Sequence, residues 1–367
     1  MRSRYLRQLD QRIAAATGAV EAACLRAQRA IYLARQGQRD AAAAIVTALR
    51  EAFRERPNAE LTAWISLAES LLDFYAKPGP QAIDRLRRAQ ALATAIRHAV
   101  LVPLCAAWLA HMEFNAGRAQ QTVEHAAQAL RQAQPDHHAA LARVSLVVAD
   151  ALHFAGRFDL ARPWYAAVRE HALVEGDDAM ISAMLHNVAT FRANNVRLAV
   201  AFGTSAIDET KQALMEAEST MNFDIGIGTV SLDLFVPLLR AQLLTIRDQY
   251  AEALELFNQS LDRADEQGMT RLKTCFYADR AWCNLRLGFP EAAMADVQLS
   301  LASARPDCDT DDLATSHARV AAIFHELGDE QSSEKHKLIS EGFLNDHQTQ
   351  RQAWLNRLQA GLPMVPR

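Results

Sequence analysis

A short sequence motif that recurs about every forty residues is the feature of this chain that most restricts its fold. This motif is called the phrase below. The phrase is a glycine, then a bulky residue, then an alanine, as in GRFDLA at residues 156–161. A second copy is GFPEAA at residues 288–293, and DQYAEA at residues 248–253 has aspartate in the place of glycine. Weaker copies begin at Gly37, Gly117 and Gly328.

The spacing of these copies is nearly constant. Gly117 and Gly156 are 39 residues apart, and the steps that end at Gly288 and at Gly328 are both 40 residues. The step that ends at Gly117 is 80 residues and leaves room for one degenerate copy. Asn195, 39 residues after Gly156, predicts a further copy. A constant step over this many copies predicts about eight units of one design.

Each unit has the composition of a helical hairpin. Only 14 glycines and 11 prolines occur in 367 residues, which favours helix almost throughout. A glycine after the first helix supplies the left-handed backbone that ends a helix cheaply. The following alanine predicts a close crossing of the two helices, and the large residue one turn later lies on the same face. These pairs are Ala161 with Tyr165, Ala253 with Phe257, and Ala293 with Val297.

Residues 156–165 and 248–257 resemble tetratricopeptide (TPR) repeats, and WISLA at residues 64–68 is similar to the opening of that family's first helix. The resemblance extends over residues 22–340, although the step of 39–40 residues exceeds the usual 34. It is similar to long-period arrays found beside bacterial signalling output domains. The resemblance implies an all-α solenoid of about eight TPR-like hairpins, wound into a right-handed superhelix with a concave face lined by the first helices.

One irregular step divides the array. The copies at Asn195 and Asp248 are 53 residues apart. We expect the extra length in residues 205–228, as a lengthened helix and a glycine-containing loop that act either as a hinge or as a rigid spacer. The predicted organisation is about five repeats in residues 1–220, about three in 221–345, and a capping helix with a tail in 346–367.

The C-terminal tail allows two interpretations. Trp354, Leu355, Leu358 and Leu362 form an apolar stripe at helical spacing. The stripe is typical of a helix that caps the last repeat, which solenoids need for solubility. A tail that binds a partner is the alternative.

Charge, cysteine usage and hydropathy predict a cytoplasmic protein without a membrane span. The five cysteines are odd in number and form no CxxC pair, no apolar run follows the N-terminus, and no stretch reaches the ~18 apolar residues of a span. Residues 1–60 carry eleven arginines against six acids, whereas residues 305–346 carry four basic residues against ten acids. Solvated helix faces or an attraction for acidic partners both explain this asymmetry, and without a helix-turn-helix we expect no nucleic-acid partner.

Motifs for catalysis or metal binding are missing from the sequence. His325 and Glu326 are followed by Asp329 where a zinc-binding HExxH helix needs histidine. His317 and His325 lie two helical turns apart, roughly 12 Å, which is too far for one ion without further ligands. GIGT at residues 226–229 lacks the lysine and the buried strand of a phosphate loop. We therefore expect no enzyme activity, cofactor or metal ion.

The first helices supply the predicted binding residues. Amide side chains suit a peptide backbone, arginine suits a carboxylate, and an aromatic ring anchors an apolar side chain. The same residues are equally typical of half-buried positions in a helical stack. Aligning the units on their glycines gives the candidate partner-binding residues His111, Asn115, Asp150, His153, Asn187, Arg192, Gln242, Trp282 and Arg286.

These features favour an interaction scaffold or regulator that binds a peptide or protein segment in the concave groove. A second hypothesis is a cytoplasmic sensor module of a bacterial signalling system that binds a peptide or a small molecule. It follows from the resemblance to arrays beside output domains, although no output domain is present in the sequence. An enzyme with an unfamiliar site is the third hypothesis.

Overall fold

The computed structural model describes residues 3–204, 207–229 and 234–366. Within these ranges the chain forms 17 α-helices and two short 3-10 helices, Leu261–Gln267 and Thr270–Leu272, and no β-strand. The predicted all-α class is therefore confirmed. None of the helices in the described ranges has the length and apolar character needed to cross a lipid bilayer.

Sixteen of the described helices form eight successive hairpins, and α1 (Arg4–Ala15) precedes them. The first helices are α2 (Ala19–Arg35), α4 (Ala59–Ala76), α6 (Leu101–Asn115), α8 (His138–Phe154), α10 (Asp178–Ala201), α12 (Phe235–Ile246), α14 (Lys273–Arg286) and α16 (Thr310–Glu326). The second helices are α3 (Arg39–Ala52), α5 (Pro80–Ala95), α7 (Ala119–Gln132), α9 (Phe158–Glu175), α11 (Ile207–Ile227), α13 (Tyr250–Ser260), α15 (Pro290–Ser303) and α17 (Glu330–Gly361). The predicted number of about eight hairpins is confirmed.

The repeated glycines end the first helices. Gly117 and Gly156 have φ values of 70° and 78°, in the left-handed region that side chains disfavour. Asp248 occupies the same place in its hairpin with φ 58°. The predicted turn at Asn195 is wrong, because α10 continues through it and the turn lies at Gly203, where φ is 84°.

The small residues at the helix crossings are fully enclosed. Ala161, Ala253 and Ala293 are all 0% exposed, so a larger side chain there would push the two helices of a hairpin apart. The large residues one turn later, at positions 165, 257 and 297, are buried as well. The phrase found in the sequence therefore marks the contact between the two helices of each hairpin.

The first helices are apolar on nearly every side because neighbouring hairpins cover them from more than one direction. In α8, thirteen of the 17 residues are buried. One of those thirteen is Arg143, a charged side chain in a largely apolar helix. All five cysteines are also buried, and none forms a disulfide.

The helices group into two compact units. Unit 1 consists of Met1–Met184, Phe223–Ser231 and Ala353–Arg367. Unit 2 consists of Leu185–Asn222 and Leu232–Gln352. The predicted division of the chain into two repeat regions and a cap stays a prediction.

The long step in the array is taken up by helix. α10 has 24 residues and α11 has 21. Residues 221–227, which we expected in a loop, continue α11, and Gly228 follows that helix with φ 72°. Ser205, the first residue of the predicted insertion, lies outside the described residues.

The C-terminal stretch of unit 1 packs on its hairpins. The ring of Trp354 makes edge contacts with Phe114 at 5.3 Å and with Phe154 at 5.9 Å between centroids. The backbone oxygen of Met364 accepts a hydrogen bond of 3.3 Å from Trp164 Nε1. Residues 346–361 are not a separate helix but the last part of α17.

Candidate binding cavity

A cavity of about 380 Å³ lies inside unit 1. Such a volume is within the range of about 300–1,000 Å³ that is usual for ligand sites. Its wall is formed by α1, by consecutive first helices from α2 to the start of α10, and by the connections that lead into α6, α8 and α10. Each first helix turns one row of side chains to the same space. These side chains include Tyr5, Arg12, Gln28, Ile31, Arg35, Trp64, Leu104, Trp108, Ala139, Arg143 and Met180.

Arg143 is a buried cation without a full set of acceptors. Its side chain lines the cavity, the residue is 1% exposed, and neither Nε nor Nη2 has a hydrogen-bond partner among the described residues. Its guanidinium carbon lies 3.8 Å from the centroid of the Trp108 ring. Burial, followed by repulsion from Arg35, lowers the pKa of Arg143 to about 10, so it remains charged at neutral pH.

The second buried arginine of the cavity is neutralised by a carboxylate. Arg35 Nη1 donates to Asp177 Oδ2 at 2.7 Å and Nη2 donates to Oδ1 at 3.0 Å. Their side chains are 9% and 7% exposed. With Arg143, they are the cavity's most deeply buried charged side chains, and together they leave one positive charge without a counterion. The cavity's other carboxylates, Glu60, Asp136 and Glu175, are more exposed.

Aromatic side chains give the cavity an apolar wall. Trp64 and Trp108 come from α4 and α6 and are 4% and 2% exposed. Tyr5 of α1 stacks on Tyr32 with 4.7 Å between ring centroids. The site therefore combines flat apolar surfaces with a buried positive charge, which suits a ligand that is part apolar and part anionic.

Among the predicted residues of unit 1, His111 and Asn115 lie beside this wall and do not line it. The His111 ring makes edge contacts with Phe74 and Trp108, both at 5.5 Å, and its Nδ1 has no partner among the described residues. Burial, then Arg143 and Arg35, holds the pKa of His111 well below its usual value. Asn115 is exposed and donates to the backbone oxygen of His111 at 2.9 Å.

Asp150 and His153 lie between the two helices of their own hairpin. The Tyr165 hydroxyl of α9 donates to Asp150 Oδ1 at 2.9 Å, and His153 Nδ1 lies 3.2 Å from the same hydroxyl oxygen. Asp150 is 1% exposed and His153 is 5% exposed. This geometry suits a role in holding α8 against α9.

Gln242 belongs to a network of buried charges in unit 2. Its Nε2 donates to Asp279 Oδ2 at 3.1 Å, and Arg319 Nε donates to Asp279 Oδ1 at 3.2 Å. Arg197 lies 3.7 Å from the same carboxylate and donates to Asp312 Oδ1 at 2.7 Å. The network supplies its cations with carboxylates from within unit 2.

The other predicted residues of unit 2 are half-buried or exposed. Asn187 and Arg192 are half-buried on α10, and Arg192 Nε donates to Glu216 Oε2 of α11 at 2.7 Å. Trp282 is half-buried with the Arg286 guanidinium 5.6 Å from its ring centroid. Their assignment to partner binding stays a prediction, as it does for the other predicted residues.

Arg35 and Arg143 line the cavity but are not among the residues predicted from the sequence. In α6 the alignment on the glycines selects His111 and Asn115 in the last turns, whereas the cavity is lined one or two turns earlier, at Leu104 and Trp108. Arg35 is the last residue of α2, a helix from which no candidate was selected. A usable signal was present: Arg143 is the one charged residue in the run LARVSLVVA at residues 141–149. A lone arginine in an apolar helix that neighbours cover needs an acceptor, and so indicates a site.

Histidines form pairs rather than a metal site. In the part of the chain that the structure describes, no three His, Cys, Asp or Glu side chains are grouped to hold a metal ion. The Nδ1 atoms of His138 and His171 are 2.9 Å apart, and so are those of His317 and His336. A hydrogen bond between two such nitrogens needs one of them to be unprotonated and to accept. Burial, and then repulsion from His336, lowers the pKa of His317 to about 4, so its ring is neutral near pH 7.

Comparison with known proteins adds support for the fold. No protein-family model matches the sequence. No curated protein matches it. The solved structure of a Rap protein complexed with Competence and Sporulation Factor aligns with a TM-score of 0.52 and 14% identity, over 90% of this chain and 99% of that chain. The apo form of RapI aligns with a TM-score of 0.49 and 14% identity, over 90% of this chain and 87% of that chain. The likeness to the Rap complex establishes a shared fold of helical hairpins.

Proposed function

We propose that this protein is an interaction regulator that binds a peptide or protein segment and holds part of it in the unit 1 cavity. The cavity carries the proposal, because successive first helices contribute to one space of about 380 Å³. A ligand there contacts several repeats at once, which is how helical-repeat proteins bind. The Rap protein of similar fold was solved in complex with Competence and Sporulation Factor, which supports binding by this fold.

The lining chemistry favours a peptide. Gln28 and Gln134 offer amide donors and acceptors to a peptide backbone, and Trp64 and Trp108 offer flat surfaces to apolar side chains. The nine residues predicted on the first helices stay candidates for partner binding, each within its own unit. If Asn187 and Arg192 contact a ligand in unit 2, the double substitution Asn187→Ala with Arg192→Ala weakens binding of that ligand and leaves binding in the unit 1 cavity unchanged.

A library of random pentapeptides tests the proposal. The immobilised full chain is incubated with the library, and retained peptides are identified by mass spectrometry. Ala139→Trp places a large ring on the cavity wall, whereas Ala91→Trp places the same ring on the exposed face of α5. We expect the unaltered protein and Ala91→Trp to retain the same subset of sequences, and Ala139→Trp to lose it.

Two results oppose the proposal. Retention of no sequence by the unaltered protein contradicts peptide binding. If Ala139→Trp unfolds at the same temperature as the unaltered protein and retains the same peptides, the cavity is not the binding site.

A small-molecule sensor is the second candidate, favoured by a cavity volume near the lower end of the range for ligand sites. Thermal unfolding in a protein-free metabolite extract separates the two. A rise in Tm that Ala139→Trp abolishes, together with no retained peptide, favours the sensor.

A further inference from the structure

We propose that the cavity binds a carboxylate, and that this carboxylate is the free C-terminus of the bound peptide. The inference rests on the proposed function and specifies the chemistry of its ligand. Arg143 is the residue that receives the carboxylate, and the tryptophan walls receive the side chain of the terminal residue.

Among the most deeply buried charged side chains of the cavity, one cation lacks an ion-pair partner in the described residues. Arg35 is paired with Asp177 through two hydrogen bonds, so its charge is compensated within the protein. Arg143 is only 1% exposed, and two of its nitrogens have no acceptor among the described residues. A ligand oxygen that reaches the guanidinium supplies acceptors that the protein does not.

A carboxylate fits this environment better than a phosphate. The planar guanidinium presents paired N–H groups that match the two oxygens of a carboxylate. One carboxylate also balances the single uncompensated positive charge. A phosphate monoester carries about −1.5 to −2 charges and would leave excess negative charge next to Asp177.

The size and walls of the cavity favour a chain end. The cavity, at about 380 Å³, is small for an internal peptide segment, because the chain must enter and leave it. It accommodates the terminal residue of a peptide. Arg143 packs on the face of the Trp108 ring at 3.8 Å, so the charged and apolar parts of the site adjoin each other. A C-terminal residue joins its carboxylate to its side chain through a single carbon and so matches that adjacency.

Two pentapeptide libraries of identical composition test the inference, one with free C-termini and one with C-terminal amides. Each is offered to the unaltered protein, to Arg143→Met and to Arg143→Lys. Arg131→Met is the matched control, since Arg131 is exposed on the second helix α7. We expect the unaltered protein and the control to bind the free-acid peptides about ten- to a hundredfold more tightly than the amides. We expect Arg143→Met to lose that preference and Arg143→Lys to keep part of it.

The remaining outcomes separate the two levels of the proposal. If the unaltered protein binds neither library, the proposed function itself fails. If it binds both libraries equally and Arg143→Met binds as well, peptide binding stands and the role of Arg143 is overturned. Enrichment of aspartate or glutamate in both libraries, lost in Arg143→Met, overturns the C-terminus as the source and assigns the carboxylate to a side chain.

Discussion

In each unit the most deeply buried arginine lies on a first helix, and these two arginines differ in what surrounds them. Arg197 of unit 2 is 6% exposed and donates to Asp312 at 2.7 Å and to Thr315 at 3.0 Å. Arg143 of unit 1 is 1% exposed, and two of its nitrogens have no acceptor in the described part of the chain. The same residue type in the same kind of helix is therefore satisfied in one unit and left unsatisfied in the other.

The pKa values follow this difference. Burial disfavours the charge of both arginines, but in unit 2 the attraction of the carboxylates of Asp312 and Asp279 outweighs burial and raises the pKa of Arg197. In unit 1 burial and Arg35 together lower the pKa of Arg143 to about 10. Unit 2 thus pairs its buried arginine with carboxylates of its own, whereas the buried Arg143 of unit 1 has no carboxylate hydrogen-bonded to it among the described residues.

The largest expected effect comes from removing the satisfied arginine. Arg197→Met leaves the Asp312 carboxylate buried without its cation, and breaking a buried pair from one side costs about 3–5 kcal/mol. Arg143→Met removes a cation that lacks acceptors, so we expect its unfolding free energy to change by less than about 1 kcal/mol. Urea denaturation followed by circular dichroism measures both values.

The contrast between the two variants decides this prediction. A loss in Arg143→Met as large as that in Arg197→Met would show that Arg143 stabilises the fold, and the distinction between the units would disappear.

The fold was largely readable from the sequence, because it depends on local rules. A glycine with positive φ ends each of several first helices, and an alanine marks each crossing, so Gly156 and Ala161 predict a hairpin without knowledge of any distant residue. Asn195 has the expected spacing but does not end its helix, because α10 continues to Ala201 and Val196 packs into a hydrophobic core.

The site was not readable in the same way. The ion pair between Arg35 and Asp177 joins residues 142 positions apart, and the cavity contains side chains from residue 5 to residue 180. No local pattern predicts which turns of successive helices will converge. The nine predicted residues were chosen by register with the glycines, and Asp150 shows how a polar residue in a first helix can instead bond its own second helix.

A second prediction makes unit 1 still more cationic. Asp177→Asn removes the counterion of Arg35 but keeps one oxygen that can accept, so we expect a loss of about 2–3 kcal/mol in unfolding free energy. Affinity for free-acid pentapeptides should rise, because two buried cations then face the ligand. Unchanged peptide affinity in a folded variant would contradict the electrostatic account of the cavity.

A third prediction concerns a proton in unit 2. Burial, then the carboxylates of Asp312 and Asp309, raises the pKa of Asp311 to about 7. In the unfolded chain this carboxyl titrates near its ordinary value of about 3.9, so between these values the folded state binds more protons and stability falls as pH rises. One titrating group changes the unfolding free energy by at most about 1.4 kcal/mol per pH unit. We therefore expect Asp311 to lower the unfolding free energy by about 2 kcal/mol between pH 5 and pH 7.

The comparison of the chain with Asp311→Asn isolates that contribution. The amide oxygen can still accept from Asn194 Nδ2, as the carboxylate does at 3.1 Å, but it does not titrate. Buried histidines such as His347, whose pKa burial lowers to about 4, give stability that is lost as pH falls below about 6.5, in both proteins. The unfolding free energy of Asp311→Asn should therefore rise relative to that of the unaltered protein from pH 5 to pH 7. A difference that stays constant over this range would contradict a protonated Asp311 carboxyl in the folded protein.

The smallest effects distinguish the turns of the two units. Gly117 of unit 1 has φ 70° with no atom within 4 Å of an added Cβ, so Gly117→Ala costs only backbone strain, about 1 kcal/mol. In unit 2 Asp248 already bears that strain at φ 58°, and its carboxylate accepts a hydrogen bond from the exposed Tyr250 hydroxyl. Asp248→Gly relieves the strain but gives up that bond and adds entropy to the unfolded chain, so we expect a gain of roughly 0.5 kcal/mol. Because the backbone is nearly the same at both turns, Gly117→Ala should lower the Tm and Asp248→Gly should raise it. A lower Tm in both variants would mean that the hydrogen bond of Asp248, rather than the left-handed backbone, governs the stability of the turn in unit 2.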